Sequence, residues 1–421
     1  MRLTSHGHRL DAMTTNEPQP GPDQRTNPTW LGQIRPEDYR QAPANVGGRF
    51  QPALPPGPAP VRDRRSTAGA QGLVLAGGLL AFASLFLVLP FLLASTGVSG
   101  FVVGFMASLV PLGTVLLTVR FIDRWEPEPK PLLLFAFAWG ALVSIAVTML
   151  IQPYFSLVAG PASGLDYTTF AVTVQAPVVE EFAKSLGLLL LLLFARKDID
   201  GPVDGVVFAF TIAAGFAFTE NILYFGRAIA DSSDPGTDLA VVFFLRGVMS
   251  PFAHAVFTGT TGIIMGFAAR RGNNGLAALA FIAGLVPAML LHSGWNSMGQ
   301  DFLAQYVFVQ VAIFLLAALV IVLLRVAERR LTRQRLREYA AAGWFTAAEV
   351  DMLATGSGRR AALRWAKSVG RGAQMKALFD AATRLAFTRQ RILSGRDVPA
   401  RQRDEQHQLA EIAALRAAVV G

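Results

Sequence analysis

Cysteine is absent from the 421 residues, which excludes a disulfide framework, thiolate metal ligands and cysteine nucleophiles together. Charge is scarce: 16% of residues are Asp, Glu, Lys or Arg, against 52% hydrophobic residues that include 30 Phe. Soluble domains carry about 25% charged residues, so the composition excludes an ordinary water-soluble globule. The first 30 residues are too polar for a cleavable secretory signal, and the first apolar span is expected to act as its own uncleaved signal. No HExxH helix is present to mark a zinc protease by itself. Neither internal repeats nor matched broken helices argue for a transporter, and no nucleic-acid-binding module is found, so no nucleic-acid partner is expected.

Long apolar runs fill the middle of the chain. A bilayer-crossing helix needs about 20 such residues, and eight segments qualify: 71–95, 101–121, 131–152, 168–194, 203–225, 239–268, 275–297 and 303–325. The fold class expected is an all-α, polytopic bundle of about eight membrane helices (71–325), preceded by a disordered Pro-rich arm (1–70) and followed by a basic helical tail (326–421). Arg62, Arg64 and Arg65 precede the first span. Arg120, Arg124 and Lys130 follow the second, Arg196 and Lys197 the fourth, Arg270 and Arg271 the sixth, and Arg325, Arg329 and Arg330 the eighth. The opposite loops hold almost no basic residues apart from Arg227, so both termini are expected in the cytoplasm of a multi-pass cell-membrane protein. The net charge of +9 resides in the tail, where 18 Lys and Arg after residue 326 face nine Asp and Glu. Two readings of that tail stand: a compact helical appendage, or a basic surface lying on anionic lipid.

Against this apolar background the ionisable residues are conspicuous. The stretch "VVEEFAK" places Glu180, Glu181 and Lys184 in the fourth span; "FAFTEN" places Glu220 and Asn221 in the fifth; the sixth holds Arg246 and His254, and the seventh His292 and Asn296. A charge at the bilayer centre costs roughly 2.5–3.5 kcal/mol, so such residues face the protein interior and mark function. At about 1.5 Å per residue, Glu180 and His254 lie about 21 Å, and Glu220 and His292 about 26 Å, from the cytoplasmic ends of their helices, within one turn of the same depth. A single four-helix polar site is the economical reading. Lys184, at i,i+4 from Glu180, suits an intrahelical counter-charge; Asn221 and Asn296 suit interhelical hydrogen bonds; Arg246 either snorkels outward or neutralises Asp238 or Glu220. Pro251 and Pro287, just before the two histidines, are expected to kink those helices.

Two hydrolytic chemistries fit. In one, His254, His292 and Glu220 hold zinc with an open position, and a glutamate of the 180–181 pair takes the proton of the bound water. In the other, no metal is used: a glutamate activates water directly, while His292 and Asn296 stabilise the oxyanion of the attacked peptide carbonyl. A proton or ion relay, and a silent membrane anchor that keeps the cluster for folding, are the competing readings from other classes.

The set "EEFAK" (EExxK), "FAFTEN" (FxxxEN), a histidine in each of the next two helices, and "HSGWN" resembles the PrsW family of bacterial intramembrane proteases, over about residues 70–325. The segment at 123–140 also looks like a family feature. The resemblance implies an endopeptidase that cleaves membrane-embedded or membrane-proximal segments of a membrane protein substrate, as in regulated proteolysis of an anti-sigma factor. It also implies a more distant kinship with CAAX prenyl endopeptidases and bacteriocin-immunity proteins. Carried over by motif, Glu180 and Glu181 match the catalytic glutamate pair, Glu220 the polar residue of the second motif, and His254 and His292 the paired histidines. Where the CAAX endopeptidases place histidine in an FxxxH motif, this chain has Glu220.

Overall fold

The computed structural model describes residues 64–124, 127–196, 198–199, 201–270, 274–298, 311–393 and 398–420. Most of the arm expected at 1–70 lies outside the described residues. The described residues form helices and no strand. Six of these helices are long and apolar enough to cross a membrane: Ala68–Ile122, Lys130–Ser163, Pro202–Ala230, Pro235–Ala269, Gly275–Asn296 and Val311–Ala341. The difference from eight has two sources. The first helix, α1 (Arg64–Ile122), carries both of the first two expected spans, joined at Gly97, whose φ of 64° and ψ of 173° leave the helical region. A positive φ costs glycine nothing, and Thr96 closes the preceding turn by donating to Leu92 O at 2.8 Å. The helical stretch carrying "VVEEFAK" falls out of the set because three charges sit among its apolar residues.

Both ends of α1 return to one side of the bundle. Gly69 lies against the carbonyl of Phe194, and Val115, Val119 and Ile122 pack on Val206, Val207 and Phe210. Phe194 ends α5 (Ala176–Phe194), and Pro202 opens α6 (Pro202–Ala230) after a short connection. Between α1 and α5 come α2 (Lys130–Ala138), α3 (Ile145–Ser163) and the single turn α4 (Tyr167–Phe170). After α6 follow α7 (Pro235–Phe243), α8 (Ala253–Ala269) and α9 (Asn274–Asn296). Three π-helical segments interrupt these helices, at Trp139–Ser144, Ala171–Gln175 and Phe244–Met249. Such wide turns re-aim the side chains that follow them and recur near functional sites.

Helix α6 runs through the centre of the bundle. Lipid tails are as apolar as leucine, so membrane helices associate through close backbone approach at small residues. A Cβ added to Gly205 would stand 2.0 Å from Gly262 O of α8, and one on Gly262 would stand 2.3 Å from Gly205 O. On another face, Gly140 packs on Ile212 O and Gly215 on Phe137 O. These contacts leave no room for side chains, so α6 is clamped between α8 and the π segment that follows α2.

Beyond the bundle, α10 (Val311–Ala341) continues into α11 (Ala347–Ala354), α12 (Gly356–Ser368), α13 (Gly372–Leu393) and α14 (Val398–Val420). They enclose a core of their own that includes Leu336, Tyr339, Phe345, Leu353, Met375, Leu385 and Ile412. Thr346 and Glu349 form a reciprocal cap at the start of α11, and Glu349 also pairs with Arg416 at 2.8 Å.

Overpacking a dense interface costs about 1–3 kcal/mol, so Gly205→Val is expected to lower the detergent melting temperature clearly. Gly113→Ala, whose added methyl meets nothing within 4 Å, is expected to leave it unchanged or raised. Asp123, just past α1, supplies a pH test. Burial, with Asp204 nearby, pushes its carboxyl up to about 7, against the opposing pull of the Glu128 amide and Arg325. The folded state therefore retains a proton that the unfolded chain loses near its ordinary pKa. Stability is expected to fall as pH rises from about 4 to about 7, and Asp123→Asn to flatten that slope in thermal scans.

Candidate active site

The local sequence explains how so many charges are admitted to the bundle. Glu180 and Glu181 follow the wide turn at Ala171–Gln175, and both carboxylates end up buried: adjacent positions on α5 reach the same cluster from two sides. Glu181 has no exposed surface and is fully engaged. Its Oε1 accepts from Lys184 Nζ at 2.6 Å and from His292 Nδ1 at 3.0 Å, and its Oε2 accepts from Thr258 Oγ1 at 2.9 Å. The counter-charge expected for Glu180 thus belongs chiefly to Glu181, at i,i+3. Lys184 stands 3.8 Å from Glu180 Oε2, donates to His254 Nδ1 at 3.1 Å, and lies 4.1 Å over the ring of Phe216.

His254 is the second residue of α8, directly after the break at Ser250–Phe252 that contains Pro251, whereas α9 runs unbroken through Pro287. The two imidazoles meet edge to face, with centroids 5.3 Å apart, and Phe257 stacks on His292 at 4.9 Å. His254 Nε2 donates to Glu220 Oε2 at 2.8 Å, which fixes its tautomer and leaves the Nδ1 lone pair for Lys184. His292 donates through Nδ1 to Glu181, which turns its Nε2 lone pair toward Glu180 Oε2, 4.0 Å away. Arg246, carried by the wide turn at Phe244–Met249, neutralises Glu220 rather than Asp238; it also donates to Asn221 Oδ1 at 2.9 Å and stacks 3.9 Å over Tyr224. Asn296 stands apart from the cluster, donating to Val172 O at 2.9 Å and tying α9 to the helix of α5.

One atom in this network is left over. Glu180 Oε2 is buried and has no hydrogen-bond partner. A buried carboxylate oxygen with no hydrogen bond, its nearest cation 3.8 Å away at Lys184, is costly, so its presence calls for a function. One donor atom from each of Glu180, His254 and His292 lies within 4.8 Å of the other two, whereas Glu220 sits behind His254, held by Arg246. The chemistry of this trio fits a divalent metal. Two imidazoles and a carboxylate are a usual ligand set, and Glu181 and Glu220 hold the two imidazoles as outer carboxylates do in such sites. His254 Nδ1 would first have to give up its bond from Lys184.

The cluster is least covered on one side. Side-chain exposure rises from 0% at Glu181 and Lys184 through 9% at Glu180 to 16% at Glu220 and 26% at Arg246. Phe216, which opens the FxxxEN motif, belongs to the site, and so do Thr258, Phe257 and Tyr224, which lie outside the motifs. Their signal in the chain was spacing: Phe257 and Thr258 lie one helical turn after His254, and Tyr224 one turn after Glu220, on the same faces.

The model of the family described as "PrsW family intramembrane metalloprotease" matches residues 128–348. That span begins after α1 and runs into α11, later at both ends than the 70–325 of the motif resemblance. The chain is 29% identical over 189 residues to Protease PrsW of Clostridioides difficile, covering 44% of this chain and 75% of that one. It is 30% identical over 192 residues to Protease PrsW of Oceanobacillus iheyensis (44% and 79%), and 30% identical over 159 residues to Protease PrsW of Geobacillus kaustophilus (37% and 60%). No solved structure matches it. With the matched span containing the glutamate pair, Glu220 and both histidines, the chain belongs to the PrsW family of intramembrane metalloproteases.

Proposed function

We propose that Glu180 is the carboxylate at the reacting centre of this multi-pass membrane hydrolase, and that the substrate is a transmembrane or membrane-proximal segment of another membrane protein. The observation that carries this reading is the unpaired, buried Glu180 Oε2 facing His292 Nε2. Glu180, His254 and His292 are the residues that would hold a metal ion, with zinc the expected one. Such an ion supplies Lewis acidity, polarising the scissile carbonyl and acidifying water.

The chain's own groups divide the remaining work. Glu181 holds His292 in the tautomer that presents Nε2, and Glu220 does the same for His254 through Nε2–H. Lys184 balances the two glutamates inside the bundle. Arg246 uses two of its N–H groups on Glu220 and Asn221, which leaves donors for a substrate carbonyl at the least covered side of the site. In this reading Asn296 is a helix tie rather than an oxyanion donor. The family assignment weighs against the ion relay and the silent anchor. The basic residues listed for the loops support cytoplasmic termini, with residues 71–325 as the protease unit and 326–421 as its appendage.

Cleavage of a single-span reporter by the purified, reconstituted chain tests the assignment. Glu180→Gln is expected to lower kcat by about 100-fold or more while leaving the melting temperature nearly unchanged; retained cleavage would remove Glu180 from the centre. Bound metal, measured by elemental analysis, is expected to fall in His292→Ala and His254→Ala. Glu181→Gln is expected to act differently, because it strands the Lys184 ammonium in the bundle at a cost of about 3–5 kcal/mol. Its melting temperature and yield are expected to drop, and Glu181→Gln/Lys184→Met to recover them without recovering activity.

A further inference from the structure

Beside scattered exposed cations such as Arg337, Lys376 and Arg403, two groups of basic residues stand out in the C-terminal helices. One group knits those helices together: Arg333 pairs with Asp351, Arg384 with Glu411, Arg389 with Glu338 and Arg416 with Glu349. The other lies along α12, where Arg360, Arg364 and Lys367 are exposed and, among the described residues, form no ion pair. Their spacing of four and three residues puts all three on one helix face. The opposite face is anchored: Ala362 and Ala366 are fully buried in the core of the appendage. Like charges one turn apart repel, so an unpaired row on a well-packed helix leaves a positive stripe open to use by an outside anion.

The place of α12 in the fold indicates that use. Arg359, next to Arg360, interacts electrostatically with Arg124 just past α1 and with Arg325 and Glu328 of α10. Arg325 pairs with Glu328 at 2.8 Å and interacts with Asp123. The start of α12 therefore lies near the end of the bundle where α1 ends and α10 leaves it, at the level where membrane helices emerge. Trp365 and Leu363, both half-buried, flank the basic row.

We propose that α12 is a leaflet-binding surface: Arg360, Arg364 and Lys367 engage the phosphates of anionic lipids on that side of the membrane and hold the C-terminal helices against it. The proposal rests on the bundle being membrane-embedded, and it is independent of which residues perform hydrolysis. Juxtamembrane basic residues are attracted to anionic headgroups, and the attraction is screened by salt.

The cysteine-free sequence makes the test clean, because any introduced thiol is unique. Ser357→Cys places a thiol on the exposed face of α12, and Ala414→Cys places one on an exposed position of α14. The full chain is reconstituted in nanodiscs of phosphatidylcholine alone or with phosphatidylglycerol, and the rate of reaction with an uncharged polymeric maleimide is measured. Labelling at 357 is expected to be several-fold slower in the anionic discs. The difference is expected to vanish at high salt and in the Arg360→Gln/Arg364→Gln/Lys367→Gln variant, while labelling at 414 stays the same in both lipids. Equal rates at 357 in the two lipids would overturn the proposal, as would slowing that survives the triple substitution. Slowing by inorganic phosphate in neutral discs would also overturn it, by pointing to a soluble anion instead of the leaflet.

Discussion

A charge inside a bilayer protein has to be answered within a few ångströms, and the Glu181 carboxylate is where this chain meets that demand. Lys184, His292 and Thr258, from three helices, all converge on its two oxygens. Remove that carboxylate and an ammonium loses its close ion pair, an imidazole loses its orientation and α5 loses one of its bonds to α8. The remaining ionisable groups are arranged around it: Glu220 answers Arg246 and His254, and Glu180 is left with an oxygen free for chemistry. The neighbouring glutamates thus differ in their bonding, one saturated and one with an oxygen that accepts no hydrogen bond.

The close packing of α6 supplies the frame in which this division holds. Backbone contact at Gly205 and Gly262 sets the spacing of α6 and α8 without any flexible side chain between them. Glu220 and His254 ride on those two helices, and their 2.8 Å hydrogen bond depends on that spacing. The wide turns at Ala171–Gln175 and Phe244–Met249 complete the geometry by turning Glu180, Glu181 and Arg246 inward. A regular helix would have carried those residues to other azimuths.

Much of this was legible in the chain. Charged residues in apolar runs identified Glu180, Glu181, Lys184, Glu220, Arg246, His254 and His292, and a simple rise per residue placed four of them at one depth. Depth is a one-dimensional quantity that spacing supplies; rotation about each helix is not. For that reason the pairing of Lys184 chiefly with Glu181, the place of Glu180 beside the two histidines, and the withdrawal of Asn296 to Val172 were beyond reach. Eight spans were counted from apolar runs, whereas six helices among the described residues are long and apolar enough, because one bent helix carries two runs and another is interrupted by its own charges.

The sequence by itself determined that this is a helical membrane protein with a polar cluster inside its bundle, because composition and the cost of charge in lipid leave those residues few other places. The tertiary structure alone decided which atoms face one another. Helix azimuths depend on glycine contacts and wide turns between segments far apart in the chain, and it is those contacts that separate a hydrogen-bonded glutamate from its neighbour with an oxygen to spare.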